Sequence, residues 1–132
     1  MNEYLITTCS KNKDDAPGLL PAIERYQNSR IEWVYLESIR LNTPMLIFSG
    51  EFGLLEPIDP IPWYDHALQM DEISKLIPKI ARKLRALGVE SLRFYARPAS
   101  EPGWRPYHAA LKQACAEADV TLNWIPWRDK TL

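Results

Sequence analysis

The chain has 132 residues, 46% of them hydrophobic and 25% charged, which is the size and composition of one globular domain. Its formal net charge of -1 disfavours a free-standing nucleic-acid binder, because such proteins neutralise phosphates with an excess of Lys and Arg. No apolar run approaches the roughly 20 residues of a membrane span, and residues 1–10 lack the basic and apolar regions of a signal peptide. We therefore expect a cytoplasmic protein with no membrane partner.

Cysteine and histidine are scarce in this chain. The two cysteines, Cys9 and Cys115, are far apart in the sequence, and the two histidines are His66 and His108. They match neither a disulfide framework nor a CxxC zinc motif, and they are too few for a typical structural metal site. We predict no bound metal and no cofactor. Cys115 lies on the apolar side of a predicted helix, so we expect it in the core.

The first third of the chain predicts a strand followed by two helices. The segment "YLITTC" (4–9) is rich in β-branched residues, as strands are. A polar turn leads into "LLPAIERY" (19–26), which begins a short helix with a proline in its first turn. Ser29 and Glu32 fit a capping box, with Ser29 as the N-cap of a second helix. That helix should end before "NTP" (42–44), because proline cannot continue it.

The rest of the chain alternates between strands and helices. The segment "MLIF" (45–48) is a continuous apolar run, as expected of a strand buried on both faces. A stripe of apolar residues at helical spacing covers residues 73–87. The segment "SLRFYA" (91–96) alternates like a strand. A helix over residues 106–118 and a last strand, "VTLNWI" (120–125), complete the pattern.

This order of elements, β-α-α-β-loop-α-β-α-β, indicates a parallel sheet with helices on both faces. We predict a single α/β domain over residues 1–132, a three-layer αβα sandwich with a small, mainly parallel sheet of about four strands. A sheet order of 2-1-3-4 would place the switch point beside the first strand, where ligands of such sheets bind. Cys9, Ser49 and Arg97 end or follow the first three strands, so we expect them on one edge.

The loop after the second strand has an unusual composition. Gly50 and Gly53 lie at its start, three prolines lie between residues 57 and 62, and the aromatic segment 63–66 closes it. Glycine lets the backbone approach a ligand closely, and proline reduces the entropy lost when a loop is held in one shape. The connections at the other edge of the sheet are short and plain. This asymmetry predicts a ligand site at the carboxyl edge.

Four motifs in these segments resemble a known family. In chain order they are "TTCSKNK" (7–13), "PAIERYQNSR" (21–30), "LIFSGEFGLL" (46–55) and "IPWYD" (61–65). The pattern resembles the domain family around the bacterial peroxide-stress protein and its small relatives, which show CS-x-x-K, PA-x-x-LY, an apolar strand ending S-A/G-x-x-GL, and PYD. A similar cysteine-serine-lysine signature occurs in the archaeosine synthase domain, which acts on a deazaguanine base in transfer RNA. The resemblance implies a base- or nucleotide-directed role.

The candidate ligand-binding residues come from the three loops at the carboxyl edge. Lysine and arginine side chains would hold an anionic group, serine hydroxyls would hydrogen-bond it, and a tyrosine would stack on a ring. The structural alternative for the serine-to-glycine segment 49–53 is a tight turn without a ligand. The residues are Ser10, Lys13, Ser49, Gly50, Gly53, Tyr64 and Arg97.

Two further residues are candidates for catalysis. Asp65 is the candidate acid-base group. Cys9 is a candidate nucleophile, because a nearby Lys13 would favour its thiolate. The structural alternatives are a small buried residue for Cys9 and a helix cap for Asp65. His66, next to Asp65 in the sequence, is a candidate proton shuttle.

Three functions remain open on these observations. The first is a nucleotide- or nucleobase-binding enzyme that modifies a base or acts at a glycosidic bond. The second is a non-catalytic sensor that uses the same pocket. The third is a protein-interaction module with Trp63, Trp104 and Trp127 exposed on its surface. The expected partner is a nucleotide-like small molecule; nucleic acid is less favoured because of the charge, and the oligomeric state stays open.

Overall fold

The main sheet has five strands and a second, smaller sheet has two. The computed structural model describes residues 2–128, and these sheets belong to that part of the chain. The strands are β1 (Glu3–Thr8), β2 (Leu20–Pro21), β3 (Met45–Ser49), β4 (Gly53–Leu55), β5 (Pro60–Ile61), β6 (Ser91–Ala96) and β7 (Thr121–Pro126).

The main sheet has the order β4-β3-β1-β6-β7. β1 pairs in parallel with β3 and β6, and β6 pairs in parallel with β7. These four strands have the predicted order 2-1-3-4, which confirms the predicted α/β class. The fifth strand, β4, is antiparallel to β3 and was not predicted. β2 and β5 pair separately and join the start of the first helix to the proline-rich loop.

Helices cover both faces of the main sheet, as predicted for a three-layer sandwich. Alternate residues of β1 serve the two layers, with Ile6 packed beneath α3 and α4 and Leu5 packed beneath α1 and α2. Within residues 2–128, no helix has the length and apolar character needed to cross a membrane. The helices are α1 (Ala22–Arg25), α2 (Ser29–Arg40), α3 (Ile73–Ala86, after a 3-10 turn at Met70–Glu72) and α4 (Arg105–Ala118).

The N-cap of α2 is Asn28, so the prediction of Ser29 is wrong. The Asn28 backbone is extended, and its side-chain oxygen accepts hydrogen bonds from the backbone N–H groups of Arg30 at 2.9 Å and Ile31 at 3.3 Å. Asparagine and serine cap helices about equally well. Asn28 and Ser29 are adjacent, so the local sequence did not show which of them is the N-cap.

Two predictions about buried residues have opposite outcomes. Cys115 is 2% exposed, and burial raises the pKa of its thiol to about 12, which confirms it as a core residue. Trp127 was expected on the surface and is only 6% exposed, so that prediction is wrong. Its ring packs at 5.4 Å from the ring of Trp33 on α2. Because it is buried, Trp127 cannot belong to an exposed aromatic surface for a partner.

A fully buried arginine organises the segment before α1. Arg25 is 0% exposed, and its guanidinium donates to the carbonyl oxygens of Asp14 at 2.7 Å, Ala16 at 2.9 Å, Gly18 at 2.7 Å and Ile61 at 3.2 Å. A buried charge is tolerated when its donors are all used in this way. Arg25 therefore ties the loop after β1 to the proline-rich loop and positions the residues next to it.

Candidate functional site

The carboxyl ends of the parallel strands meet at one edge of the sheet. Ser49 ends β3, Arg97 follows β6, and Cys9 follows β1 with its backbone N–H donating to the carbonyl of Phe48 at 2.9 Å. The prediction that Cys9, Ser49 and Arg97 share an edge is therefore confirmed. β3 and β6 lie on opposite sides of β1, so the switch point falls beside β1, as predicted.

Two adjacent clefts open at this edge. The first, here called the lysine cleft, has a volume of about 330 Å³. The second, the tryptophan cleft, has a volume of about 440 Å³. Segment 9–11 and Tyr107 line both. The lysine cleft adds Lys13, Asp65, His66 and Ala67, and the tryptophan cleft adds Asn12, Asn28, Arg30 and Trp104, together with neighbouring backbone.

Lys13 is the best placed cation of the lysine cleft. Its ammonium lies 4.4 Å from the centre of the Tyr64 ring and 3.4 Å from the carbonyl oxygen of Lys11. Partial burial lowers the pKa of Lys13 below its ordinary value, whereas the nearby Cys9 and Asp65 act in the opposite direction. A cation that has already lost part of its hydration gives up less water when it binds an anion.

The two candidate catalytic residues line the same cleft. The Cys9 sulfur is partly exposed and lies 3.5 Å from the Tyr107 hydroxyl. Asp65 is exposed. In the same cleft, the Ser10 hydroxyl donates to the carbonyl of Asn12 at 2.8 Å, which leaves its lone pairs as acceptors. The cleft therefore combines a thiol, a carboxylate and a cation around one small volume.

Ser49 and Tyr64 form a hydrogen-bonded chain with Tyr26. The Ser49 oxygen accepts from the backbone N–H groups of Glu51 at 3.1 Å and Phe52 at 3.0 Å, so its own proton is left for the Tyr64 oxygen at 2.9 Å. The Tyr64 hydroxyl then donates to Tyr26 at 2.5 Å. Burial raises the pKa of both tyrosines, which keeps them neutral. Ser49 and Tyr64 thus hold the loop after β3 in place, and neither is among the residues that line the clefts.

The two glycines of this loop also have intramolecular roles. A Cβ added at Gly50 would lie 2.9 Å from the Tyr107 hydroxyl oxygen and 3.0 Å from the Cβ of Leu68. Gly53 has a φ of +80° at the start of β4, a conformation that favours glycine. Gly50 therefore lets Tyr107 approach the loop, and Gly53 turns the chain back along β3.

Arg97 was predicted to bind an anionic ligand group and His66 to act as a proton shuttle beside Asp65, but both side chains contact glutamates. The Arg97 guanidinium donates to Glu101 at 2.9 Å, and Arg97 is not among the residues that line either cleft. The His66 ring lies 3.1 Å from Glu51 and 2.9 Å from Glu72, and these contacts take both of its nitrogens. The Glu72 hydrogen bond raises the pKa of His66. These contacts do not support a proton-shuttle pair between His66 and Asp65.

Arg30 and Tyr107 are site residues that sequence reasoning missed. Arg30 is 6% exposed; its guanidinium donates to Thr7 and to the carbonyl of Thr8 at 2.9 Å, and lies 4.9 Å from the Trp104 ring centre. A cation in the first turn of a helix opposes the helix dipole, and that position was the available signal. Tyr107 had no such signal, because its spacing on α4 fits an ordinary core position.

Comparison with known protein families, with curated proteins and with solved structures finds no match for this chain. Among residues 2–128, no three His, Cys, Asp or Glu side chains come together as a metal ion would require.

Proposed function

We propose that the protein binds a nucleotide-like small molecule at the carboxyl edge of its sheet, with an anionic group in the lysine cleft. The observation that carries this proposal is the position of Lys13, a partly desolvated cation in a cleft beside the switch point of a parallel sheet. Open α/β sheets bind ligands at this place. The cleft volume of about 330 Å³ lies at the lower end of the range for small-molecule sites.

The chemistry of the cleft suits a phosphate or carboxylate. Lys13 and Lys11 supply two positive charges, and the Ser10 oxygen and segment 9–11 supply polar groups near them. Charge-assisted hydrogen bonds to such an anion are about twice as strong as neutral ones. The likeness of the four sequence motifs to the peroxide-stress family supports a mononucleotide or a deazapurine-like compound as the ligand class.

The same cleft holds the groups for a reaction on that ligand. Asp65 would move a proton as the acid-base group, and Cys9 would be the nucleophile. Such a pair fits base modification or chemistry at a glycosidic bond. A ligand that binds and is recovered unchanged would instead favour the non-catalytic sensor.

A second candidate, a protein-interaction surface, is favoured by exposed apolar side chains in the proline-rich loop. Ile58 is 78% exposed and Trp63 is 53% exposed. Large exposed apolar residues on a loop held by prolines are typical of contact surfaces. This candidate requires that a partner protein binds to Trp63 and its neighbours and not to the lysine cleft.

A thermal-shift screen followed by calorimetry tests the proposal. Free bases, nucleosides, deazapurines and mononucleotides are screened first, because a ligand of the folded state raises the unfolding temperature. The best compound is then titrated into wild type, Lys13→Ala and Lys112→Ala, an exposed lysine of α4 that serves as the matched control. We expect Lys13→Ala to weaken binding by about 1.5–3 kcal/mol, the range for a hydrogen bond to a charged group. Equal affinity in a folded Lys13→Ala protein would remove Lys13 from the site, and a screen without any compound that binds would favour the interaction surface.

A further inference from the structure

We infer that the tryptophan cleft is the subsite for a planar heterocyclic ring of the ligand whose anionic group occupies the lysine cleft, an inference that rests on the proposed function. The two clefts share segment 9–11 and Tyr107 as a common wall. One ligand that lies across these shared residues would therefore occupy both clefts. The chemistry of the two clefts then decides which part of the ligand enters which.

The anionic group is better placed in the lysine cleft than in the tryptophan cleft. Arg30 is the buried cation of the tryptophan cleft, but its guanidinium already donates to Thr7, Thr8 and, at 3.5 Å, to the carbonyl of Cys9. It is only 6% exposed, so an incoming anion would have to displace contacts that are already made. Lys13, in the other cleft, is partly exposed.

Trp104 gives the tryptophan cleft a wall suited to a ring. Its side chain is half-buried, and the Arg30 guanidinium packs on its ring with 4.9 Å between the guanidinium carbon and the ring centre. Arg30 is in turn anchored to the carbonyl end of β1. This contact fixes the tryptophan before a ligand arrives, so that less entropy is lost on binding. Bases of every kind stack on such aromatic side chains.

Asn28 adds a polar group at the same cleft. Its side-chain oxygen is held by the backbone N–H groups of Arg30 and Ile31, which fixes the orientation of the whole amide. The NH₂ of this amide carries two donors at the wall of the tryptophan cleft. Ring nitrogens and carbonyl oxygens of a nucleobase are acceptors for such donors. The cleft therefore combines an aromatic face with an oriented amide.

Calorimetry with ribose phosphate and adenosine, guanosine, cytidine and uridine monophosphates tests the inference. The proteins are wild type, Lys13→Ala, Trp104→Leu, Asn28→Ser and the control Trp63→Leu, whose side chain is exposed on another loop. Serine also caps helices, so Asn28→Ser removes the amide and retains the cap of α2. We expect Trp104→Leu to weaken binding of the best nucleotide on the order of 10- to 100-fold, as removal of a stacking side chain does, and to leave ribose phosphate unchanged. Asn28→Ser should act in the same direction and Trp63→Leu should have no effect.

The possible failures are distinguishable. If Trp104→Leu or Asn28→Ser binds the nucleotides more weakly but binds ribose phosphate as wild type does, the ring subsite is supported. If Trp104→Leu does not fold, the affinity of Asn28→Ser decides alone. Wild-type nucleotide affinity in both variants, with Lys13→Ala still weakened, overturns the ring subsite and leaves the proposed function in place. If no probe binds the wild-type protein, both are overturned.

Discussion

The guanidinium carbon of Arg30 lies 4.9 Å from the centre of the Trp104 ring, so that a side chain of α2 and the residue before α4 meet beyond the end of β1. The contact joins segments 74 residues apart in the sequence (104 minus 30). Because Arg30 also binds the carbonyl of Thr8, it holds one wall of the tryptophan cleft on the sheet itself. One wall of the site is thus connected to the sheet through Arg30.

Replacement of Arg25 tests how the loop before the site is held. In Arg25→Met, the carbonyls of Asp14, Ala16, Gly18 and Ile61 lose the hydrogen bonds from Arg25, while an unbranched apolar stem is retained in place of the first part of the arginine side chain. An acceptor left without a donor costs about 1–3 kcal/mol where water cannot reach it, as at Ile61, and less at the partly buried carbonyls of the other three residues; removal of a buried charge offsets part of this loss. We expect a net loss of about 3 kcal/mol in urea unfolding. The control Arg82→Met, at an exposed position of α3, should stay within about 0.5 kcal/mol of wild type, and a similarly small change in Arg25→Met would contradict the account.

Gly50 and Tyr107 should be energetically coupled. A methyl group at Gly50 would lie 2.9 Å from the Tyr107 hydroxyl oxygen, which is closer than a van der Waals contact, so Gly50→Ala should destabilise the protein by about 1–3 kcal/mol. Tyr107→Phe removes that oxygen. The double variant should therefore be more stable than the sum of the single effects by about 1 kcal/mol, as measured by a double-mutant cycle. Strict additivity would show that the contact does not limit residue 50.

His66 should make stability depend on pH in a defined direction. Its hydrogen bond to Glu72 raises the pKa of His66 above the ordinary 6.5. A raised folded-state pKa stabilises the protein fully below the unfolded pKa, and this contribution disappears as pH rises through the folded pKa. The stability advantage of wild type over His66→Gln should therefore be largest below the ordinary pKa of about 6.5 and should shrink as pH rises above it.

An NMR titration of His66 provides the matching measurement. Its pKa should lie above 6.5 in wild type and fall in Glu72→Gln, because that variant removes the carboxylate that favours the charged ring. A pKa at or below 6.5 in the wild-type protein would contradict the role given to Glu72.

The sequence predicted the parallel core of the sheet well and its antiparallel edge not at all. β1, β3, β6 and β7 are apolar or alternating runs that have few interpretations other than strands. β4 is three residues long and follows Gly53 in a loop, and its pairing with β3 depends on a turn that Ser49 closes. Such pairing is decided by side-chain hydrogen bonds that no local pattern shows.

The sequence predicted the location of the candidate site more accurately than it predicted the residues that line it. Cys9, Lys13 and Asp65 do line one cleft, because loops at one edge of a parallel sheet must come together. Arg97 was assigned to a ligand, but Glu101 four residues later takes part of its hydrogen bonding. Arg30 was missed because its place in the first turn of a predicted helix, although unfavourable for the helix dipole, does not show that its side chain reaches the end of β1.

An amide NMR titration of the isotope-labelled protein with the best mononucleotide shows directly whether the ligand binds beside β1. We expect shifts in segments 9–13 and 65–67, at the lysine cleft, and in Gly103 and Trp104 of the tryptophan cleft. A third cleft, lined by Asn2, Glu3 and residues 42–44, lies at the amino ends of the same strands and serves as an internal control. Its signals should stay unchanged. Shifts confined to that opposite edge, or to Ile58 and Trp63, would contradict a ligand site beside β1.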